Sequence, residues 1–184
     1  MGRFAADNPG LVERLVLYAP VWLRTSPSLA DPGGELGAYR WVTVEMARRR
    51  RTAGVPADKA AALVPPGWFE HWAGLTWATD PDGQRRNPPA LRAPNGSTAD
   101  GREFWAAGKP WFDPAKITAP TLLVLGEWDQ DTPPTMAQTL FPLLTASPGK
   151  RLVVLAEGTH GMWMERNRGA LFQAVQVFLE DAPA

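Results

Sequence analysis

The chain has 184 residues, 45% of them hydrophobic, enough for one domain or for a small core that carries an insertion. Its nineteen basic and nineteen acidic residues cancel, which argues against a general nucleic-acid or anionic-membrane role. Zero cysteines exclude disulfides, thiol nucleophiles and thiolate metal sites. The N-terminal octet lacks a basic-then-apolar signal pattern, and no apolar run approaches the roughly 20 residues that span a bilayer, so a soluble, cytoplasmic protein is expected.

Residues 3–8 read as the end of a helix, broken by Pro9-Gly10 before a strand over 14–19 that Pro20 stops. That strand is apolar without alternation, the pattern of a parallel strand covered on both faces. Residues 21–117 show no strand pattern. Helices are expected over 36–51, 57–63, 68–78 and 100–107, separated by Pro/Gly-rich loops at 80–83 and 87–96. Seven of the nine tryptophans (22, 41, 68, 72, 77, 105 and 111) fall in this stretch. The run Arg48-Arg49-Arg50-Arg51 reads as cations that complement a helix C-terminus, with Gly54 and Pro56 ending the helix, rather than as a phosphate or nucleic-acid patch.

From residue 118 the pattern alternates. A strand over 121–125 leads through Pro133-Pro134 into a helix to about 145, and a strand over 151–155 leads into a closing helix near 167–180. In that last helix Leu171, Phe172, Val175, Phe178 and Leu179 form one apolar stripe at helical spacing. Repeated strand–helix units imply parallel strands joined by right-handed crossovers. No internal repeat of solenoid length is present.

Functional groups of an open parallel sheet sit just beyond the carboxyl ends of its strands. Two ionisable residues hold that position, Asp129 after the strand 121–125 and His160 after the strand 151–155. A carboxylate that accepts the imidazole Nδ1 proton fixes the tautomer and leaves Nε2 to draw a proton from an alcohol. Asp129 is favoured as the acid because it follows its strand after a single tight turn. Asp131 is the alternative acid, or else a cap for the helix beginning near Pro133. Glu127 is expected to orient the turn or face solvent, Glu165 to be a polar residue of the turn into the last helix, and His71 to be packed or pocket-lining. Two histidines without a ligand-spaced carboxylate cluster make a poor metal site, and no cofactor is implied.

The segment 117–129, Ile-Thr-Ala-Pro-Thr-Leu-Leu-Val-Leu-Gly-Glu-Trp-Asp, with Pro133 following, resembles the acid-bearing strand of α/β-hydrolases. Glu157-Gly158-Thr159-His160-Gly161-Met162 resembles their histidine loop, and residues 4–20 resemble the helix and strand that follow the nucleophile elbow. The resemblance covers nearly half of the chain in the family's order. It implies an α/β fold: the C-terminal part of an α/β-hydrolase parallel sheet, about three strands from residues 1–20 and 118–184, with 21–117 as a mainly helical, Trp-rich cap. It also implies Asp129 and His160 as catalytic acid and base, and a small-molecule ester- or amide-type substrate.

The four serines (Ser26, Ser28, Ser97 and Ser147) include none in a G-x-S-x-G turn. By the family's register the nucleophile would precede Met1. The chain alone is then expected to be inactive and prone to self-association or to pairing with a complementary N-terminal half. The alternative is a non-catalytic binding or interaction module of the same fold. Metal, nucleic acid and membrane are not expected among its partners.

Overall fold

The computed structural model describes residues 1–181. Helix α1 (Gly2–Asp7) leads across Pro9-Gly10 into β1 (Leu15–Tyr18). The inserted region holds β2 (Tyr39–Thr43), α2 (Val44–Arg51), α3 (Ala57–Ala60), α4 (Trp68–Trp77), α5 (Pro81–Gln84), β3 (Ala90–Pro94) and α6 (Gly96–Asp100), the last continuing as a π-helical turn over Gly101–Trp105. The chain returns to the sheet as β4 (Thr121–Gly126), then α7 (Pro134–Leu140), β5 (Lys150–Leu155) and the closing helix α8 (Arg168–Glu180).

Strands β1, β4 and β5 form one parallel sheet with β4 in the middle. All six residues of β4 are buried, and successive side chains point to opposite faces of the sheet. Leu123 and Leu125 therefore pack with Ala5, Ala6, Ala137 and Leu140, from α1 and α7. Leu122 and Val124 pack on the other side with Met162 and with Leu171 and Phe178 of α8. Each such side chain contributes about 1.5–3 kcal/mol by leaving water. Only the central strand meets the expectation of cover on both faces. The edge strands β1 and β5 are partly exposed, and Val154 is 42% exposed.

The stripe expected on the last helix narrows. Leu171 and Phe178 are buried, whereas Phe172 and Leu179 are about half exposed. Adjacent helical residues lie about 100° apart, so only one member of each pair can face the sheet.

Residues 21–117 depart most from expectation. They contain a two-stranded antiparallel ribbon, β2 with β3, in which Tyr39 lies opposite Pro94 and Thr43 opposite Ala90. The strands are short, and their partners are distant in sequence. The helix expected over 36–51 begins only at Val44, because Thr43 caps it: its Oγ1 accepts from Met46 N at 3.2 Å. The loop expected at 80–83 is the short helix α5, which Asp80 caps through Gly83 N at 3.1 Å. The same buried carboxylate takes Arg92 Nε at 2.9 Å and Nη2 at 2.7 Å, tying α5 to β3. Those bonds from Arg92 hold the Asp80 carboxyl far below the ordinary carboxylate range. The ribbon is also fixed to α4, where Trp77 Nε1 donates to Val42 O at 3.1 Å. No helix among the described residues is long and apolar enough to cross a membrane.

Candidate active site

The parallel register sets Tyr18 beside Val124 and Gly126 beside Leu155, so all three strands end on one side of the sheet. The turns after β4 and β5 then interlock. Glu127 N donates to Leu155 O and Trp128 N to Gly158 O, both at 2.9 Å. Glu127 orients the facing turn, as expected, by accepting from Glu157 N at 2.9 Å. A Cβ at position 126 would collide with the carbonyl of Gly158, so this approach requires glycine. Backbone contact between the turns fixes where the acid and the histidine stand.

Asp129 is wholly buried, and its Oδ2 lies 2.9 Å from His160 Nδ1. A carboxylate only accepts, so Nδ1 carries the proton and Nε2 has a free lone pair. Three further donors hold the carboxylate. Asp131 N and Thr132 N reach Oδ1 at 2.9 and 2.8 Å, and Thr132 Oγ1 reaches Oδ2 at 2.9 Å. Four hydrogen bonds in a dry site hold the acid in one orientation toward the imidazole. Burial lowers the His160 pKa, but the bond to Asp129 and its charge outweigh that, and the net shift is upward from 6.5.

Asp131 stands apart from the imidazole pairing. Arg50 Nε bonds both of its carboxylate oxygens at 3.0 Å, and its carbonyl accepts from Arg24 Nη1 at 2.8 Å. It does not cap α7 either, since that helix begins after Pro133 without a side-chain cap. His71 is exposed on α4 and does not line the cavity below, contrary to expectation.

Two participants were not anticipated as such. Glu165 is 1% exposed and accepts from Thr159 N at 3.0 Å and from Thr159 Oγ1, so it anchors the residue before His160. Burial pushes its carboxyl above the usual range. Tyr18 donates from its hydroxyl to His160 O at 2.7 Å, and burial raises its phenol well above the ordinary value. Periodicity cannot reveal either role, because the Tyr18 bond joins residues 142 apart and the Glu165 bonds depend on how the turn six residues before it folds back.

Beside His160 a cavity of about 420 Å³ opens between the sheet's turns and the inserted region, within the range of small-molecule sites. Trp72 and Trp77 of α4 and Trp163 of the histidine loop line it, with Arg40, Arg50 and Arg51. Trp22 and Trp105 instead pack into the main core. Ser147 Oγ bonds Ala119 O at 2.8 Å, Ser28 Oγ accepts from Ala30 N, and no serine or threonine hydroxyl of the described residues bonds His160 Nε2. Among the described residues no group of three or more His, Asp or Glu side chains is placed to hold a metal ion.

No protein-family model matches the sequence, and no curated protein matches it significantly. Solved structures do match its backbone. The chain is similar to a 2-hydroxy-6-oxo-6-phenylhexa-2,4-dienoate hydrolase from Rhodococcus sp. strain RHA1 (TM-score 0.59, 17% identity, 96% of this chain and 58% of that one). It is also similar to a serine hydrolase involved in carbazole degradation (TM-score 0.56, 18% identity, 95% and 57%). A bromoperoxidase from Bacillus anthracis matches at TM-score 0.55 with 16% identity, over 92% and 58%. The chain thus spans less than two thirds of the length of these neighbours. Its parallel sheet of three strands, flanked by helices, is a partial α/β-hydrolase fold.

Proposed function

We propose that the chain supplies the acid, Asp129, and the base, His160, of a serine hydrolase that cleaves ester- or amide-type acyl bonds of a small apolar substrate. The observation that carries this reading is the 2.9 Å contact between His160 Nδ1 and a fully buried, fourfold hydrogen-bonded Asp129 at the mouth of a Trp-lined cavity. The imidazole is oriented and its basicity raised, which suits abstraction of an alcohol proton. The nucleophile and oxyanion donors come from outside these 184 residues. The outer edge of β1 has no partner strand among the described residues, and a nucleophile-bearing segment is expected to pair there.

Release of p-nitrophenol from p-nitrophenyl butyrate tests the proposal. The isolated chain is expected to give the buffer rate. The polypeptide translated together with coding sequence upstream of Met1, if that sequence encodes a G-x-S-x-G turn, is expected to turn over, and to lose about 10²–10⁴-fold on His160→Ala. Turnover by the isolated chain that survives His160→Ala overturns the reading. Absence of an upstream serine turn favours the non-catalytic binding module.

A further inference from the structure

The four consecutive arginines of α2 have four different environments. Arg48 pairs with Glu70 at 3.1 Å, Arg49 with Glu45 at 3.0 Å and Arg50 with Asp131 at 2.9 Å. Arg51 alone has no such partner. Among the described residues no carboxylate forms an ion pair with it as Glu70, Glu45 and Asp131 do with its neighbours, and no protein group accepts a hydrogen bond from its guanidinium. Its surroundings are aromatic: the guanidinium carbon stands 4.1 Å from the ring centre of Trp72, 5.4 Å from that of Trp163 and 6.0 Å from that of Phe69. Rings attract the faces of a guanidinium but leave its in-plane N–H donors unused. An arginine stays charged under such burial, and five unmatched donors beside a cavity are costly unless something accepts from them.

The cavity offers a place for that acceptor. Arg51 and His160 both line it, and a Cβ added to Gly161 would lie 2.6 Å from Arg51 Nη1, which puts the cation against the residue that follows the base. The carboxylates of the wall are already paired, and its other arginines already have hydrogen-bond acceptors. Asp31 accepts from Arg102 Nε at 2.8 Å, Asp131 is held by Arg50, and Arg40 donates to Asn95 Oδ1 at 2.9 Å and to Pro94 O at 3.2 Å. Glu165 attracts the guanidinium by charge from beyond ion-pair distance, while its oxygens accept from Thr159 N and Oγ1. The remaining wall is apolar, from Val42, Met46, Leu91 and the tryptophans.

We propose that Arg51 is an anion subsite of this cavity and that the molecule bound there carries a carboxylate on an apolar, aromatic-sized body. This deepens the hydrolase reading and rests on it for one point only, that the bound molecule is a substrate. A carboxylate takes two parallel N–H bonds from the guanidinium fork, while Trp72 and Trp163 grip the cation and flank the apolar part. A purely hydrocarbon acyl chain would fit less well, because it would displace water from Arg51 without offering an acceptor.

The test uses binding without chemistry, on the full chain. Tryptophan fluorescence and calorimetric titration with 4-phenylbutyrate and with its neutral amide, 4-phenylbutyramide, are expected to show the acid binding about tenfold or more tightly. Arg51→Met should abolish that preference, Arg51→Lys should restore part of it, and Arg40→Met should leave most of it. Circular dichroism checks that each variant is folded. Equal affinity for acid and amide in the unsubstituted chain overturns the subsite. So does a preference that survives Arg51→Met, and if Arg51→Met unfolds, a preference undiminished in Arg51→Lys does the same. A chain that prefers the acid but never gains esterase activity refutes only the hydrolase reading. One that hydrolyses esters while binding acid and amide alike refutes only the subsite.

Discussion

The strand-end turns of the sheet and the inserted region 21–117 reach the same cavity by different physics. The turns after β4 and β5 are held by backbone, with Trp128 N on Gly158 O and Glu127 N on Leu155 O, over a strand whose six residues are all buried. The inserted region is held by side chains: Asp80 on Arg92, Asp31 on Arg102, Asp131 on Arg50 and stacked arginines on tryptophans. Arg102 and a backbone amide hold the Asp31 carboxyl down to about 2. A backbone lattice tolerates no extra atom but keeps its geometry; a side-chain lattice gives way locally. The acid and base belong to the first and the walls of the cavity largely to the second. Under the proposed function, chemistry would fall on the rigid part and selection among ligands on the adaptable part.

The same substitution should therefore act oppositely in the two regions. Gly126→Ala drives a methyl into the Gly158 carbonyl, and no rotamer relieves it. A loss above about 4 kcal/mol is expected, read as a collapsed thermal transition. Gly74 in α4 has nothing within 4 Å of an added Cβ. Gly74→Ala should stabilise by about 0.5–1 kcal/mol, the smallest effect in this series, and a lower melting temperature would break the comparison.

Between these extremes, Leu123→Ala removes a fully buried side chain from the central strand and should cost about 2–5 kcal/mol in denaturant unfolding. Asp129→Asn follows, at about 1–3 kcal/mol, because it replaces a buried carboxylate that takes four hydrogen bonds. Its sharper signature is in pH. In the unsubstituted chain the folded His160 pKa lies above the unfolded 6.5, so its contribution is complete below about pH 6.5 and is lost as pH rises through the folded value. In Asp129→Asn burial remains while the attracting charge is gone. The folded pKa then falls below 6.5, and stability is lost on acidification instead. Proton NMR titration of His160 with melting temperatures from pH 5 to 9 reads both signs. Asp131→Asn should cost about 1 kcal/mol, since Arg50 is 40% exposed and its pair partly screened, and should lower the His160 pKa less than Asp129→Asn does. An equal drop would show that the two acids share the histidine.

Legibility in the sequence follows the same division. The strand 121–125 was readable because a buried parallel strand must be a continuous apolar run, the edge strand 151–155 because it is a short apolar run between turn signals, and the groups after both had to lie at the sheet's carboxyl edge. Asp129 and His160 were singled out on that ground. The ribbon of β2 and β3 was not readable, because Tyr39 meets Pro94 across more than fifty residues and neither strand is long enough to show a period. The arginine run is the most instructive case. As helix-terminal cations the four residues are equivalent, and in the fold no two share an ion-pair partner.

The sequence by itself determined the parallel sheet, the two strand-end positions and the absence of a serine turn, since each depends on local pattern or on composition. Only the tertiary structure decided that Asp129 rather than Asp131 meets His160, that Glu165 anchors the histidine loop and that Arg51 is left without an acceptor. Those outcomes depend on which side chains arrive from remote elements to compete for the same few donors. Such competition is resolved by packing in three dimensions, even between Asp129 and Asp131, which lie in one short window of the chain.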